Sequence, residues 1–272
     1  MKIAMLGTGN ALVTKCYNTC FVISDDEGRH LLVDAGGGNQ VLANLEKVNL
    51  SWKDIHTIFV THKHIDHILG IIWMIRIIAQ NMKKGAYAGD LEIYAHDEVI
   101  KILDEMTSLL LQKSQTDYIG RRIFFKEVKD GDERFLIGKK TTFFDIHSTK
   151  AKQFGFSIDM NGVKVTCLGD EPYQEEERKY AENSDYLMSE AFCLYEERDM
   201  FHPYEKNHST VKDAAELAEK LNVKNLILYH TEDKNIKNRK DLYTQEAKKY
   251  FKGNVIVPND LEEISLCPEE DS

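Results

Sequence analysis

Short apolar runs rich in β-branched and aromatic residues recur along the chain, separated by longer stretches with helical spacing. Residues 2–6, 20–24, 30–33, 57–60 and 91–94 read as strands, and so do 141–146, 163–168, 186–188, 225–229 and 254–257. Val211, Ala214, Ala215, Ala218 and Leu221 make one apolar helical stripe, with Lys212, Glu216 and Glu219 on the opposite side. Thr210 and Asp213 predict a capping-box start for that helix. Residues 69–78 are apolar nearly all round, which predicts a helix buried between layers. Strands and helices interleave to the C-terminus, with no Pro/Gly/Ser linker and no repeat at solenoid spacing. The pattern implies a layered α/β protein, read as one domain over 1–266 followed by an acidic tail, 267–272, that is expected to fray.

Composition narrows the functional classes. The 272 residues are 42% hydrophobic and 29% charged, with 16 Gly and 4 Pro, so fibrous and largely disordered readings fall away. Lys and Arg total 35 against 45 Asp and Glu, a formal charge of −10, which excludes a uniformly basic nucleic-acid sleeve but not a local basic patch. Cys16, Cys20, Cys167, Cys193 and Cys267 are an odd number without a Cys-x-x-Cys pair, which argues against a disulfide framework and for a reducing compartment. No secretory leader is evident at Met1, and the most apolar run, 68–79, carries Arg76 and is too short to span a bilayer. A cytoplasmic protein without a membrane partner is therefore expected.

The candidate chemistry is concentrated in Thr61-His62-Lys63-His64-Ile65-Asp66-His67, directly behind the strand-like 57–60. Four ligand-type side chains within six residues suit borderline transition ions such as zinc. In an extended segment His62 and His64 project to one side, and Asp66 and His67 follow at the start of the apolar helix. His147, Asp170 and His230 repeat the placement, each following an apolar strand, and ligands of layered α/β proteins gather at the carboxyl ends of strands. Together the seven could hold two ions: His62, His64 and His147 one, Asp66, His67 and His230 the other, with Asp170 offering one oxygen to each. Metal binding lowers the pKa of a bound water to about 7, so a hydroxide shared by the two ions would be the nucleophile.

These motifs resemble the metallo-β-lactamase superfamily, and within it the ribonuclease Z-like branch. His62-x-His64-x-Asp66-His67 matches the superfamily signature, 31–36 its early Asp motif, 154–156 and 168–170 the approach to the bridging Asp, and 226–230 its last ligand. The resemblance implies a four-layer αββα sandwich, two mixed β-sheets flanked by helices. It implies two Zn²⁺, with Mn²⁺ or Fe²⁺ also suited to the donors, and a homodimer. Onto Asp34 it places a hydrogen bond that orients a ligand histidine. Asp185-Tyr186-Leu187-Met188-Ser189-Glu190-Ala191 and His208-Ser209-Thr210 resemble the segments that supply a Glu and its partner His in this branch. Asp66, Glu190 and His208 are the expected catalytic residues, with Glu190 orienting His208 and His208 meeting the departing oxygen.

The function expected is a ribonuclease Z-like phosphodiesterase or nuclease acting on a small nucleotide or single-stranded RNA. A thioester, lactone or β-lactam hydrolase is the alternative that needs no acid paired to Glu190, and a metal-binding sensor without turnover is a third. The sequence departs from the branch in two places: Ser189 stands where its Glu motif usually begins with His, and only 22 residues, 148–169, separate His147 from Asp170. That interval holds little more than a hairpin, whereas the tRNA-processing enzymes usually carry a protruding arm there. Gly7 and Gly9 read as a tight turn near the cleft rather than a dinucleotide loop. The basic run 234–240 reads equally as a phosphate-receiving rim or a solvated loop, while His30, His56 and His96 are expected at the surface.

Overall fold

Strands buried on both faces read as unbroken apolar runs rather than alternating ones, and the central strands of this chain are of that kind. The computed structural model describes residues 1–267; residues 268–272 of the expected acidic tail lie outside the described residues. The strands are β1 (Lys2–Gly7), β2 (Cys20–Ser24), β3 (His30–Val33), β4 (Ile55–Phe59), β5 (Leu91–Ala95), β6 (Ile123–Glu127) and β7 (Glu133–Leu136). They continue with β8 (Lys139–Asp145), β9 (Phe154–Asp159), β10 (Lys164–Cys167), β11 (Tyr186–Glu190), β12 (Asn225–Tyr229), β13 (Asn254–Ile256) and β14 (Glu263–Ser265). The longer helices are α1 (Gln40–Lys47), α2 (Ile65–Lys83) and α3 (Asp97–Leu110), followed by the single turns α4 (Lys113–Thr116), α5 (Arg178–Ala181) and α6 (Arg198–Phe201). Two more, α7 (Val211–Lys220) and α8 (Arg239–Ala247), close the helical set.

The strands form two sheets of seven, ordered β14-β1-β2-β3-β4-β5-β6 and β13-β12-β11-β10-β9-β8-β7. Each is mixed: β3 to β6 and β10 to β13 run parallel, and the remaining pairs are antiparallel. Period two divides each central strand between two cores. Ile3, Phe21 and Leu31 meet Phe143, Phe156 and Val165 between the sheets. Ala4, Leu6, Val22 and Leu32 turn the other way, toward Ile68, Ile71 and Ile75 of α2 and Leu103 of α3. On the far side Phe144, Leu187 and Leu228 pack on Val211, Ala214 and Ala215 of α7 and Tyr243 of α8. At roughly 1.5–3 kcal/mol per large side chain taken from water, these three cores hold the four αββα layers of the metallo-β-lactamase fold together.

Both helices anticipated from the pattern are present, but α2 forms an outer layer with Trp73 and Arg76 exposed rather than lying buried between layers. The Thr210 hydroxyl accepts from Asp213 N at 3.3 Å and α7 begins at Val211, while α2 extends several residues beyond 69–78 at each end. The first turns of α2 dock directly on the turn after β3: Ala35 N donates to His67 O and Gly70 N to Gly36 O. A Cβ at position 70 would stand 1.9 Å from the Ala35 carbonyl oxygen, so glycine is required at that contact. Four strands lacked a sequence signal. Of these, β6, β7 and β14 lie at sheet edges and carry polar or exposed positions, including exposed Phe135. The fourth, β9, is an interior strand whose apolar run is broken by Gly155, Ser157 and Asp159. The expectation for His96 is corrected: it lies fully buried against Phe154, at the start of α3.

Burial also creates a pH-sensitive point away from the cleft. Glu177, just before α5, accepts from Gln174 N at 2.7 Å through one oxygen, and its other oxygen has no partner among the described residues. Burial, reinforced by Glu176 and Asp145, pushes its carboxyl up from 4.5 to about 8. The native state therefore holds a proton that the unfolded chain releases, so this group's stability is intact below pH 4.5 and is lost as the pH rises through about 8. Glu177→Gln is expected to match the parent near pH 4.5 and to exceed it at pH 8 by about 4 kcal/mol. Thermal unfolding across pH checks this; equal melting temperatures at pH 8 would contradict a neutral buried acid.

Candidate metal centre

The residues singled out behind strands all sit at the carboxyl ends of β3, β4, β8, β10, β11 and β12. Asp34, His147 and His230 leave their strands with left-handed φ of +53°, +55° and +55°. That conformation costs a non-glycine residue about 1–2 kcal/mol, so the surroundings must hold it in place. At Asp34 they do so by hydrogen bonds. Its carboxylate accepts from Thr61 N at 2.8 Å and Thr61 Oγ1 at 2.7 Å, and stands 2.8 Å from His67 Nδ1. The Thr61 hydroxyl also lies 2.9 Å from His62 Nδ1, so Asp34 and Thr61 together orient two neighbouring imidazoles.

The opposite nitrogens of those rings converge. Asp170 Oδ2 lies 3.2 Å from His230 Nε2, 3.4 Å from His67 Nε2 and 3.6 Å from His62 Nε2. Asp66 Oδ2 lies 3.4 Å from His67 Nε2 and 3.7 Å from His230 Nε2, while His64 Nδ1 is 2.8 Å from His62 Nε2. Three groups have donor atoms within 4.8 Å of one another: His62–His67–Asp170 and Asp66–His67–His230 in this cluster, and Glu190–His208–His230 beside it. His67 Nε2, His230 Nε2 and Asp170 Oδ1 are buried without a hydrogen-bond partner among the described residues. Orphaned imidazole nitrogens facing carboxylate oxygens in a buried cluster fit a divalent metal centre, which would satisfy them.

Two particulars differ from the expected division of ligands. A single oxygen of Asp170, Oδ2, makes the nearest approach to all three histidines, and Oδ1 is buried without a hydrogen-bond partner among the described residues. His147 is exposed, its N–H donating to Asp145 Oδ1 at 2.8 Å, and it belongs to none of the close groups.

The charges follow from the packing. Burial would raise Asp66 and Asp170, but the neighbouring histidines overcome it and hold both carboxyls below the usual carboxylate range. Burial would lower His67 and His230; Asp34 and Asp66 override it at His67, and Asp170, Asp66 and Glu190 push His230 up to about 9. Burial prevails at His62 and His64, which titrate low. Without metal the centre holds protons that a divalent cation would displace.

Glu190 and His208 form a second constellation against the first. His208 Nδ1 lies 2.7 Å from Glu190 Oε2 and 2.9 Å from the Asp170 carbonyl oxygen, and Ser209 N donates to Glu190 Oε1 at 2.7 Å. Glu190 Oε2 is also 3.8 Å from His230 Nδ1. Phe192 lies flat on His208, ring centroids 4.7 Å apart and 10° from parallel, with Lys206 Nζ 5.3 Å from the Phe192 ring.

A cavity of about 400 Å³ opens over this cluster, lined by His64, Asp66, Asp170, His208 and His230 and walled by residues 10–13, Phe192 and Phe201. Lys150 and Lys206 line it too, and neither has a carboxylate ion-pair partner among the described residues. Sequence reasoning missed Thr61, Phe192, Lys206 and Glu171, which accepts from Asn207 at 2.6 Å beside the cavity. Thr61 and Glu171 each adjoin a recognised ligand-type residue, and that adjacency was the available signal. His202 is half exposed, pairs with Glu205 and does not line this cavity.

The αββα architecture is that of the metallo-β-lactamase fold, and the buried His/Asp cluster is that of a metal-dependent hydrolase. The sequence family described as Anti-Pycsar protein Apyc1 matches residues 1–252, and the chain belongs to that family. Ribonuclease Z of Archaeoglobus fulgidus is 26% identical over 320 aligned positions, covering 99% of both chains. Among solved structures, the metallo-β-lactamase fold protein YhfI of Bacillus subtilis superposes with TM-score 0.79 at 19% identity, covering 97% of this chain and 98% of that one. The short form of human tRNase Z superposes with TM-score 0.75 at 21% identity, covering 98% and 100%.

Proposed function

We propose that the protein hydrolyses a phosphodiester of a small nucleotide or of single-stranded RNA. The observation that carries this reading is the Glu190–His208 pair set against the metal cluster, because a nucleoside alkoxide departs poorly unless an acid meets it. We assign His62, His64, Asp66, His67, Asp170 and His230 as metal ligands for two ions, best suited to Zn²⁺, and keep His147 as a seventh that would have to turn inward. When bound, the metals supply an acidified water as nucleophile and Lewis-acid stabilisation of the phosphoryl oxygens. The chain's own residues do the rest. Asp34 and Thr61 fix the ligand rings, Lys150 and Lys206 draw the anionic substrate, and His208 delivers a proton while Glu190 holds its ring and its charge.

Substrate size is supported by the cavity volume, which lies in the range of small-ligand pockets, with Phe192 and Phe201 as aromatic walls for a base. The interval 148–169 is filled by β9, β10 and the turn 160–163, and the net charge is −10, so little is available to grip a folded tRNA. No helix among the described residues is long and apolar enough to cross a membrane. A cytoplasmic location and a homodimer complete the proposal.

The test is a substrate panel on metal-loaded protein: a mononucleotide diester, a single-stranded RNA, a tRNA precursor, a thioester, a lactone and a β-lactam. Phosphodiesters are expected to exceed every acyl substrate by at least about a hundredfold in kcat/KM. Faster acyl turnover would assign the site to acyl hydrolysis, and two bound metals without turnover on any substrate would make it a sensor.

A further inference from the structure

Arg239 opens α8 from within the basic run 234–240, yet its side chain is fully buried. A guanidinium withdrawn from water needs acceptors, and those found by its two terminal nitrogens indicate its role, Nε having none among the described residues. Nη1 donates to Thr231 Oγ1 at 2.5 Å; Nη2 donates to the Pro258 carbonyl at 2.9 Å and to Thr8 Oγ1 at 3.0 Å. The Thr8 hydroxyl in turn donates to Asp260 Oδ1 at 2.7 Å, and Asp260 Oδ2 accepts from Tyr17 N at 2.6 Å. One side chain therefore ties together three segments, after β1, after β12 and between β13 and β14.

Two of those segments carry parts of the site. Thr231 follows His230 directly, and its backbone is laced to the first segment: Thr231 N donates to Thr8 O and Asn10 N to Thr231 O, both at 3.0 Å. Asn10 begins the cavity wall formed by residues 10–13. His230 holds its left-handed backbone immediately before this clasp, so release of Thr231 would let His230 relax away from Asp66 and Asp170.

We propose that Arg239 is a positioning residue that fixes His230 and the cavity wall relative to one another, acting through Thr231 and Thr8 and touching neither substrate nor metal. The inference rests on the reading of His230 as a ligand and goes beyond it in assigning the residue that aims it. The test compares Arg239→Lys, which keeps the charge but loses the planar fork, with Thr231→Val, which removes only the hydroxyl beside His230. Zn²⁺ affinity, the visible spectrum of the Co²⁺-loaded protein, and kcat and KM on a phosphodiester are measured alongside thermal unfolding of the metal-free protein.

Both variants are expected to bind the weaker metal equivalent at least about tenfold less tightly, with an altered Co²⁺ spectrum and a matching fall in kcat. A folded Arg239→Lys or Thr231→Val protein with parental Zn²⁺ affinity and Co²⁺ spectrum would overturn the proposal. Should Arg239→Lys fail to fold, Thr231→Val decides by the same two readouts. Affinity and spectrum need no substrate, so a wrong substrate class leaves this test standing, whereas parent protein that takes up no metal overturns the reading of His230 itself.

Discussion

His208→Ala is expected to lower turnover of a nucleotide phosphodiester by about 10²–10⁴-fold while leaving metal content unchanged. The argument rests on which atoms are already engaged. His208 Nδ1 is occupied by Glu190 and by the Asp170 carbonyl, so Nε2 is the atom left to face a leaving oxygen. Glu190 is buried, and its second oxygen is held by Ser209 N, so the carboxylate cannot swing away from the imidazole. Phe192 fixes the plane of the ring. Loss of the imidazole should therefore depend on the leaving group. A nitrophenolate departs without a proton, so bis(p-nitrophenyl) phosphate should suffer much less than a nucleoside diester. Equal losses on both substrates would deny His208 the role of acid. Loss of bound metal in the same variant would instead make it a ligand, as its proximity to Glu190 and His230 in a third close group allows.

Asp170→Asn should cost bound metal as well as turnover. Three imidazole nitrogens lie within 3.6 Å of its Oδ2, and its charge is one cause of the upward shift at His230. The amide retains the shape and the backbone carbonyl that His208 uses, but presents a neutral oxygen or an N–H where cations should meet. Partners that merely orient a ligand already cost 10–100-fold when removed, so both metal occupancy and kcat should fall by more than about a hundredfold. Metal analysis after desalting, together with phosphodiester kinetics, checks this. A fully active Asp170→Asn protein carrying two metals would remove Asp170 from the centre.

Legibility of the molecule from its sequence followed burial. Most strands at the middle of each sheet announced themselves because both faces are apolar, and β1, β2, β3, β11 and β12 were placed to within a residue or two. Interior β9 escaped because Gly155, Ser157 and Asp159 interrupt its apolar run. Edge strands β6 and β7 present charged side chains to solvent and carry no such signal. At the site, 62–67 was readable because its donors are contiguous, while Glu190 and His208 were legible only through resemblance, since an isolated Glu and His 18 positions apart have no pattern of their own. Arg239 was misread for a physical reason. A basic residue among lysines looks solvated, and only the tertiary structure shows three loops closing over it. Likewise the placement of one Asp170 oxygen, Oδ2, against three imidazoles is a property of side-chain rotation that no spacing encodes.

The turn at 160–163 joins two strands whose other ends, Phe154 and Cys167, lead into the cleft, so it protrudes at the opposite pole of the sandwich. Asn161 and Gly162 already adopt backbone angles suited to a tight reversal and face solvent. A fluorophore, affinity tag or surface tether grafted there would leave the mouth of the enzyme unobstructed, giving single-molecule or immobilised assays a neutral handle.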